Sequence, residues 1–297
     1  MAAESVIQMS GSRPAVAIGT AGVSIPWKRI GLHALAIVIT AVMSFPLFWM
    51  LSSAFKGPTE IFTNVPRFLP ADPTFDNFRS AFTQKPVLDW LRNSLVTAVG
   101  TTALRLFIAI PAAYALARVR VPFRSFWMAC VVGTMLIPGV VTLVPNYLLV
   151  AELGWINTAI GVIVPQAASS AFFIFLLRQH IRQIPADLFD AAELDGAGVW
   201  RQLFDIAIPL IRPGIIAVTA LAFLWGWNAY MWPLLILPEF SSQTIAVGLG
   251  TFAGDPDSVQ LWGPLMATAL ISSIPPLIVF MFAQKHLANA LTSGLKG

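Results

Sequence analysis

Three carboxylates recur at every third residue in a charged segment that lies between two long apolar stretches: Asp187, Asp190 and Glu193. Residues three and four apart share one face of an α-helix, so this spacing makes an acidic stripe along the helix. A second, apolar face follows the i, i+3, i+4 spacing and holds Leu188, Ala191 and Ala192. The pattern indicates an amphipathic helix with an acidic stripe along one face.

Two short helices separated by a break must position this stripe. Pro185 presets φ for a first helical turn, and Asp187 lies near the positive end of the helix dipole. Gly196 can adopt the left-handed backbone that ends a helix. A second helix can start between Ala197 and Phe204 and lead to the next apolar stretch. We therefore predict a helix-turn-helix knob in a loop that covers residues 178–212.

This segment resembles the cytoplasmic coupling loop of ABC importer permeases, which reads Glu-Ala-Ala, then Asp-Gly-Ala, then Ile-x-Leu-Pro. The residues that match this pattern are Ala191, Ala192, Asp195, Gly196, Ala197, Phe204, Ile206, Pro209 and Leu210. Two positions depart from it, because Asp190 stands where the family has Glu and Ile208 where it has Leu.

In that family the knob sits in a cleft of a separate ATPase subunit. The resemblance implies that ATP-driven closure reaches this chain through a set of coupling residues: Asp190, Ala191, Ala192, Asp195, Gly196, Ala197 and Pro209. It also implies that ATP and Mg²⁺ bind to the partner ATPase and that this chain binds no cofactor. Without the resemblance, the segment also fits an ordinary amphipathic loop on the membrane surface.

The composition indicates an integral membrane protein. The chain has 297 residues, of which 57% are hydrophobic and 11% charged, and its mean hydropathy is +0.76. A membrane-spanning helix needs about 20 mostly apolar residues. Six stretches qualify by hydropathy, at roughly 30–54, 91–117, 125–149, 157–177, 213–237 and 263–283. We predict an all-α, polytopic membrane protein with six transmembrane helices and a cytoplasmic coupling helix.

The distribution of basic residues predicts the orientation. Twelve of the 18 Lys and Arg residues fall on one side: Arg13, Lys28, Arg29, Arg118, Arg120, Arg124, Arg178, Arg182, Arg201, Arg212, Lys285 and Lys296. By the positive-inside rule, both termini and the coupling loop face the cytoplasm. Residues 1–28 form a flexible cytoplasmic tail, and residues 29–297 form the transmembrane domain. A long external loop at 55–90 contains one short helix at 75–82.

The resemblance extends over almost all of residues 55–297, and it is most specific for maltose-type and glycerol-3-phosphate-type importers, in the second-permease branch. The strings that carry it lie at residues 76–78, 93–95, 112–118, 227–228, 232–234, 274–276 and 291–294. It implies a heterodimer with a homologous second permease, an ABC ATPase dimer on the cytoplasmic side and an extracytoplasmic substrate-binding protein.

Four residues within the spans are candidates for a substrate pathway: Arg105, Gln166, Trp227 and Asn228. Arg105 lies about 18–20 Å from the cytoplasmic end of its span, and a charge at such depth faces protein or water. It either lines the pathway and selects an anionic cargo, or it has a structural role in which it bonds carbonyls freed by a helix break or a carboxylate of a partner subunit. Trp227 either stacks on sugar rings or belongs to an interfacial aromatic belt, to which we assign Trp232. Gln166 either faces a polar cavity or bonds a neighbouring helix.

Several absences exclude other functions. The sequence contains no Gly-x-x-x-x-Gly-Lys-Ser/Thr loop, so this chain does not cradle ATP phosphates itself. His33, His180 and His286 are far apart, and the single Cys130 provides neither a disulfide nor a cysteine metal site. The dispersed basic residues do not indicate binding to nucleic acid. We predict a chain that is not an enzyme.

The sequence thus predicts a permease subunit of an ATP-driven importer in the bacterial cytoplasmic (inner) membrane. Its cargo is a carbohydrate or a related polyol conjugate, such as a sugar, an oligosaccharide or a glycerol phosphate, and it moves by alternating access. The alternative is a secondary transporter or channel that needs no ATPase. Such proteins usually show internal repeats and paired ionisable groups at the midplane, whereas this chain shows no clear repeat and one midplane charge.

Overall fold

A computed structural model describes residues 27–63, 67–255 and 260–293 of the chain, with side chains at 31–63, 67–255 and 260–285. Within these ranges the secondary structure is helical and contains no β-strand, so the all-α prediction is confirmed. Residues 1–26 of the predicted tail lie outside the described residues. The first helix begins at Trp27, so it includes the last two residues of the predicted tail.

The described residues form a series of α-helices. In chain order they are α1 (Trp27–Ala54), α2 (Pro58–Ile61), α3 (Asp76–Gln84), α4 (Val87–Ala117), α5 (Arg124–Met135), α6 (Gly139–Glu152), α7 (Ala159–Ala168), α8 (Ala171–Arg182), α9 (Ala186–Leu194), α10 (Val199–Gln202), α11 (Ile208–Leu210), α12 (Arg212–Trp227), α13 (Met231–Ile236), α14 (Ile245–Ala253) and α15 (Trp262–Ser293). A π-helical turn at Leu203–Ala207 joins α10 to α11.

The helix predicted in the external loop is α3, and the loop ends at α4, which begins at Val87 instead of near residue 91.

Three of the six predicted spans are bent. Single helices long and apolar enough to cross a membrane occur within α1, α4 and α15. The predicted stretch 125–149 is α5 and α6, which meet at 96°, and the stretch 157–177 is α7 and α8, which meet at 49°. The stretch 213–237 divides into α12 and α13, and α12 also makes an angle of 80° with the segment Val199–Leu210 before it.

Proline explains part of this bending. Pro138 precedes α6 in an extended conformation, and Pro165 lies inside α7 just before its end. Proline lacks a backbone N–H and leaves the carbonyl four residues earlier without its helical partner. In α7 that carbonyl belongs to Gly161, and the indole N–H of Trp232 donates to it at 3.1 Å. Trp232 therefore has a packing role that the predicted aromatic belt does not describe.

The chain divides into two compact units, Met1–Pro46 and Leu47–Gly297. In the second unit, α4 packs against α7, α8 and α12. One hydrophobic cluster joins the end of α4 to α8, α9 and α12, with Leu177 and Ile181 fully buried. A second surrounds Trp90 near the start of α4, and a third joins Val150, Val162 and Ile236. All residues of the sites described below belong to this second unit.

Candidate functional site

The predicted knob is present as α9, a tight turn and α10. Gly196 has φ of +76°, which confirms the left-handed residue predicted at this position. Its amide donates to the carbonyl of Glu193 at 3.0 Å, and the amide of Ala197 donates to that of Ala192 at 2.8 Å. These two bonds form a Schellman motif, which satisfies the last carbonyls of α9 and fixes the direction of the chain toward α10.

One aromatic ring anchors α9 to the helices behind it. Phe189 is 6% exposed, and its ring lies 6.2 Å from that of Tyr114. The guanidinium carbon of Arg118 lies 4.6 Å from the centre of the same ring, in a cation–π contact. Leu188, on the predicted apolar face, is 47% exposed, so Phe189 is the residue that packs against the helices behind α9. Tyr114 and Arg118 offer Phe189 an aromatic ring and a cation at that place.

The second half of the knob is anchored separately. The Tyr114 hydroxyl donates to Gln202 Oε1 at 3.1 Å, and Gln202 Nε2 donates to the carbonyl of Ala197 at 2.9 Å. Leu203 and Ala207 are buried in the same cluster as Leu177 and Ile181 of α8. Because both halves are attached to α4 and α8, the knob is a rigid extension of these helices.

The outer surface of the knob combines charge with apolar side chains. Its carboxylates, at 187, 190, 193 and 195, are exposed. Beside them Leu194 is 90% exposed, Trp200 is 64% exposed and Phe204 is 59% exposed. The rings of Trp200 and Phe204 stack with centres 6.3 Å apart. Exposed apolar patches of this kind mark contact surfaces. The sequence analysis overlooked Leu194 and Trp200, although a tryptophan in a charged loop is itself a signal.

The seven predicted coupling residues fall on or beside this surface. Asp190, Ala191, Asp195, Gly196 and Pro209 are exposed, whereas Ala192 and Ala197 are half-buried. All but Pro209, which lies in α11, belong to α9 and the turn that follows it.

Arginine side chains hold the helix ends behind the knob. The carbonyl of Leu116, near the end of α4, accepts from Arg124 Nε at 2.7 Å and from Arg178 Nε at 3.0 Å. Arg118 donates in return to the carbonyls of Ile181, at 3.1 Å, and Ile184. Burial lowers the pKa of Arg118, while the neighbouring Tyr114 and Asp190 act in the opposite direction. These bonds satisfy C-terminal carbonyls and place cations at the negative ends of two helix dipoles.

Arg105 binds a carbonyl at a helix break. Its Nη2 donates to the carbonyl of Gln166 at 2.5 Å, and its guanidinium carbon lies 4.6 Å from the ring centre of Phe173. In a continuous helix the amide of Ser170 would bond to Gln166, but here it bonds to the carbonyl of Ala168. Arg105 is 5% exposed, and its Nε and Nη1 have no hydrogen-bond partner. This geometry favours the packing interpretation of Arg105.

Trp227 and Asn228 are also engaged within the fold. The Trp227 side chain is 3% exposed, and its indole N–H donates to the carbonyl of Ser272 at 3.2 Å. That carbonyl precedes Pro276 by four residues, so the indole replaces the donor that proline lacks. The side-chain amide of Asn228 is exposed and donates to Leu224 at 2.9 Å.

Two cavities are bordered by polar side chains. The larger, of about 820 Å³, lies among α5, α6, α7 and α8 and is bordered by Thr142, Asn146, Ser169, Phe172 and Trp225. Phe172 and Trp225 stack with centres 5.3 Å apart. The smaller, of about 380 Å³, lies near the start of α4 and is bordered by polar residues that include Asp89, Arg92, Asn93 and Asn157.

The four predicted pathway residues, Arg105, Gln166, Trp227 and Asn228, line neither cavity. Sequence reasoning overlooked Thr142 and Asn146, which are polar residues in an otherwise apolar helix. Among the described residues, no group of three or more His, Cys, Asp or Glu side chains is placed to hold a metal ion.

The decisive comparison concerns the family. The model of the family described as "Binding-protein-dependent transport system inner membrane component" matches residues 105–293. The chain belongs to this family. The permease is a multi-pass protein of the membrane, and the recognition of an ABC importer permease from its coupling loop is confirmed.

Similar proteins extend the match over most of the permease. The sn-glycerol-3-phosphate transport system permease protein UgpE of Brucella melitensis is 31% identical over 268 residues, which cover 87% of this chain and 94% of the relative. The inner membrane ABC transporter permease protein YcjP of Escherichia coli is 29% identical, with coverage of 90% and 96%. The diacetylchitobiose uptake system permease protein NgcG of Streptomyces coelicolor is 29% identical, with coverage of 88% and 87%.

A solved structure has the same fold. The crystal structure of a bacterial ABC transporter involved in import of the acidic polysaccharide alginate contains a chain that superposes with a TM-score of 0.78. The identity is 23%, and the match covers 89% of this chain and 98% of the other. A crystal structure of a bacterial alginate ABC transporter in complex with an alginate-bound periplasmic protein matches with a TM-score of 0.61 and 16% identity, over 87% and 95% of the two chains.

Proposed function

We propose that the permease moves a carbohydrate or a polyol conjugate inward through a cavity whose shape is set by a separate ABC ATPase. The observation that carries the proposal is that α8 contacts the knob at one end and borders the larger cavity at the other. Leu177 and Ile181 of α8 join the buried cluster that holds the knob, whereas Ala171 and Phe172 at its other end border the larger cavity. A displacement of the knob therefore acts on a wall of the cavity through one helix.

The knob surface suits a partner that provides both basic and apolar contacts. Four exposed carboxylates at 187, 190, 193 and 195 lie on the same segment of the chain as an apolar group, which comprises the exposed side chains of Leu194, Trp200 and Phe204. We propose that an ATPase dimer, which holds ATP and Mg²⁺, binds here. The remaining proposed partners are a homologous second permease, an extracytoplasmic substrate-binding protein and the lipid bilayer, with both termini of the permease in the cytoplasm of a bacterium.

The cargo class is supported by the chemistry of the cavity and by the relatives. Aromatic faces such as those of Phe172 and Trp225 stack on the C–H surfaces of sugar rings, and Asn146, Thr142 and Ser169 can bond hydroxyl groups. Relatives are named for sn-glycerol-3-phosphate and for diacetylchitobiose, both rich in hydroxyl groups. Thermal-shift screening of the cognate binding protein with sugars, polyols and glycerol phosphates would name the cargo.

The test of ATPase coupling uses Leu194→Glu. Leu194 is 90% exposed, so the change leaves the permease fold intact and puts a charge into the apolar group. We expect ATPase binding and ATP-dependent uptake into proteoliposomes to fall at least about tenfold, the effect of burying an unpaired charge in an interface. The control is Gln183→Glu, an exposed position outside the knob. Uptake that proceeds without ATP, or is equal in both variants, would favour a secondary transporter or channel.

A further inference from the structure

A groove between α5 and α8 carries two arginines at one end and an apolar wall along the rest. Its volume is about 440 Å³, and its lining residues are Arg124, Ser125, Met128, Ala129, Val132 and Arg178. Arg124, Met128 and Val132 follow i, i+4, i+8 spacing on α5. The groove therefore runs along one helical face for about 12 Å, at 1.5 Å per residue.

The two arginines are fixed in place and still have free donors. Arg124 uses Nε and Nη2 to bond the carbonyls of Leu116 and Ala117, and Arg178 uses Nε to bond Leu116. Nη1 of Arg124 and both terminal nitrogens of Arg178 remain for another ligand. Within the part of the chain that the structure describes, no carboxylate oxygen lies within 4.0 Å of either guanidinium. Arg182 adds a further positive charge beside Arg178.

The surroundings of the groove suit a lipid better than another protein. Arg124 begins α5, the first half of an apolar pair long enough to span the membrane, so the arginines lie at its polar end. Phe123 is 81% exposed, Phe126 is 60% exposed and Trp127 is 50% exposed beside this end. Aromatic side chains of this kind gather where the hydrocarbon meets the headgroups. A partner protein would have to provide acidic groups, whereas an anionic phospholipid brings a phosphate and an apolar chain together.

We infer that the groove binds an anionic phospholipid. The phosphate lies between Arg124 and Arg178 and accepts bonds from their free N–H groups and from the Ser125 hydroxyl. The first part of an acyl chain lies along Met128, Ala129 and Val132. Basic pockets between transmembrane helices bind headgroups in this way. The bound lipid would offset the repulsion among arginines that already fix the ends of α4 and α8.

The test uses the importer complex purified with its ATPase in detergent. Dioleoyl phosphatidylglycerol is titrated against it, and bound lipid is counted by native mass spectrometry. Dioleoyl phosphatidylcholine, which has the same chains and no net charge, and inorganic phosphate, which has no chain, are titrated in parallel. We expect phosphatidylglycerol to bind at least tenfold more tightly than either.

Single variants separate the contribution of the arginine charges to lipid binding from that of the apolar part of the groove. Arg178→Gln should weaken phosphatidylglycerol binding about fivefold, the effect of about 1 kcal/mol for one basic residue at the membrane surface. The matched control is Arg120→Gln, which removes the same charge from an exposed position outside the groove and should leave the affinity unchanged. Ala129→Trp fills the apolar part, retains both arginines and should abolish the lipid-bound species.

Four outcomes would overturn the inference. If phosphatidylcholine bound as tightly as phosphatidylglycerol, the groove would not recognise the charge of the headgroup. If inorganic phosphate bound as tightly as phosphatidylglycerol, the groove would be a site for a free anion only. Unchanged lipid binding in Ala129→Trp would place the lipid elsewhere. Finally, a cross-link in membranes between the second permease and Ala129→Cys, in a Cys130→Ser background, would assign the groove to a protein partner.

Discussion

Arg118 and Arg178 each donate hydrogen bonds to the backbone at the end of the other's helix. Arg178 of α8 bonds the carbonyl of Leu116 in α4, and Arg118, which follows α4, bonds the carbonyl of Ile181 in α8. Arg178 thus provides a donor to a terminal carbonyl of α4, and Arg118 adds a second donor to the carbonyl of Ile181, which also accepts from the amide of Ile184 at 3.3 Å. The exchange locks the two helices together directly behind the knob.

Removing one side of this exchange should loosen the knob. We expect Arg118→Leu to lower the free energy of unfolding by about 2 kcal/mol, because bonds from a charged donor contribute about 1.5–3 kcal/mol. The change also removes the cation from the face of Phe189. Thermal unfolding of the purified complex measures the effect. Arg120→Leu, at an exposed position two residues away, is the control; an equal loss there would contradict the assigned role.

Position 196 should tolerate a substitute residue to the extent that the residue can adopt the left-handed backbone conformation found there. A Cβ at this position meets no atom within 4 Å, so the cost of substitution comes from the backbone alone, at about 1–2 kcal/mol. ATP-dependent uptake should decrease in the order Gly, Asn, Ala, Val, since Asn tolerates this conformation best among the substitutes. Gly198 has φ of −70° and equally open space. Uptake by Gly198→Ala should match the wild type, and an equal loss there would refute the conformational argument.

Uptake measurements on Arg105 variants distinguish a packing role of this side chain from a role in cargo selection. Because its Nη2 holds the carbonyl of Gln166 and the side chain lines neither cavity, Arg105→Gln should reduce uptake of neutral and anionic cargo by the same factor. Arg105→Lys, which retains the charge, should not restore full uptake, since one ammonium cannot reproduce the planar contact with Phe173. A loss confined to anionic cargo would instead assign Arg105 to the pathway.

The bond from Trp232 to Gly161 can be tested by a double-mutant cycle. Trp232→Phe retains the ring and removes the indole N–H, and we expect it to lower the unfolding free energy by about 1–2 kcal/mol. Pro165→Ala returns a backbone N–H that can bond the same carbonyl. In that background Trp232→Phe should cost less than about half as much. Strictly additive effects in thermal unfolding would show that the indole does not replace the missing donor.

On the opposite end of α4, Gly263 packs against a buried amide. Asn77 is 4% exposed, and its side-chain amide donates to the carbonyls of Ala54 at 2.9 Å and Lys56 at 2.7 Å. A Cβ at position 263 would overlap this amide, so Gly263→Ala should lower the unfolding free energy by about 1–3 kcal/mol. Gly254→Ala is the matched control, because its Cβ would meet only one atom, at 3.9 Å. Similar thermal midpoints for the two variants would contradict this account.

The sequence predicted the apolar segments and the turn of the knob because both depend on local composition. It did not predict which segments bend. Pro111 lies inside the continuous helix α4, and Pro275 and Pro276 lie inside α15, whereas the segments around Pro138 and Pro165 are bent. A proline's effect depends on which distant group reaches the freed carbonyl, and such donors are visible only in three dimensions.

In the candidate sites, too, the features set by local sequence were predictable and those that depend on distant residues were not. Gly196 was identifiable because a left-handed helix end has a strong residue preference. Phe189 was not, because the choice between it and Leu188 depends on Tyr114 and Arg118, more than 70 positions earlier in the chain. For Arg105 the sequence left two interpretations, since depth alone does not show which group the guanidinium reaches.

The break at Ser169 and Ser170 divides one predicted span between two hydrophobic clusters. Val162 of α7 is buried with Ile236 and Val150 in one cluster, whereas α8 shares a separate buried cluster with the knob. Both halves border the larger cavity. Under the proposed coupling, a force that enters through α9 reaches α8 before α7, so the 49° angle between these two helices would set the width of the cavity.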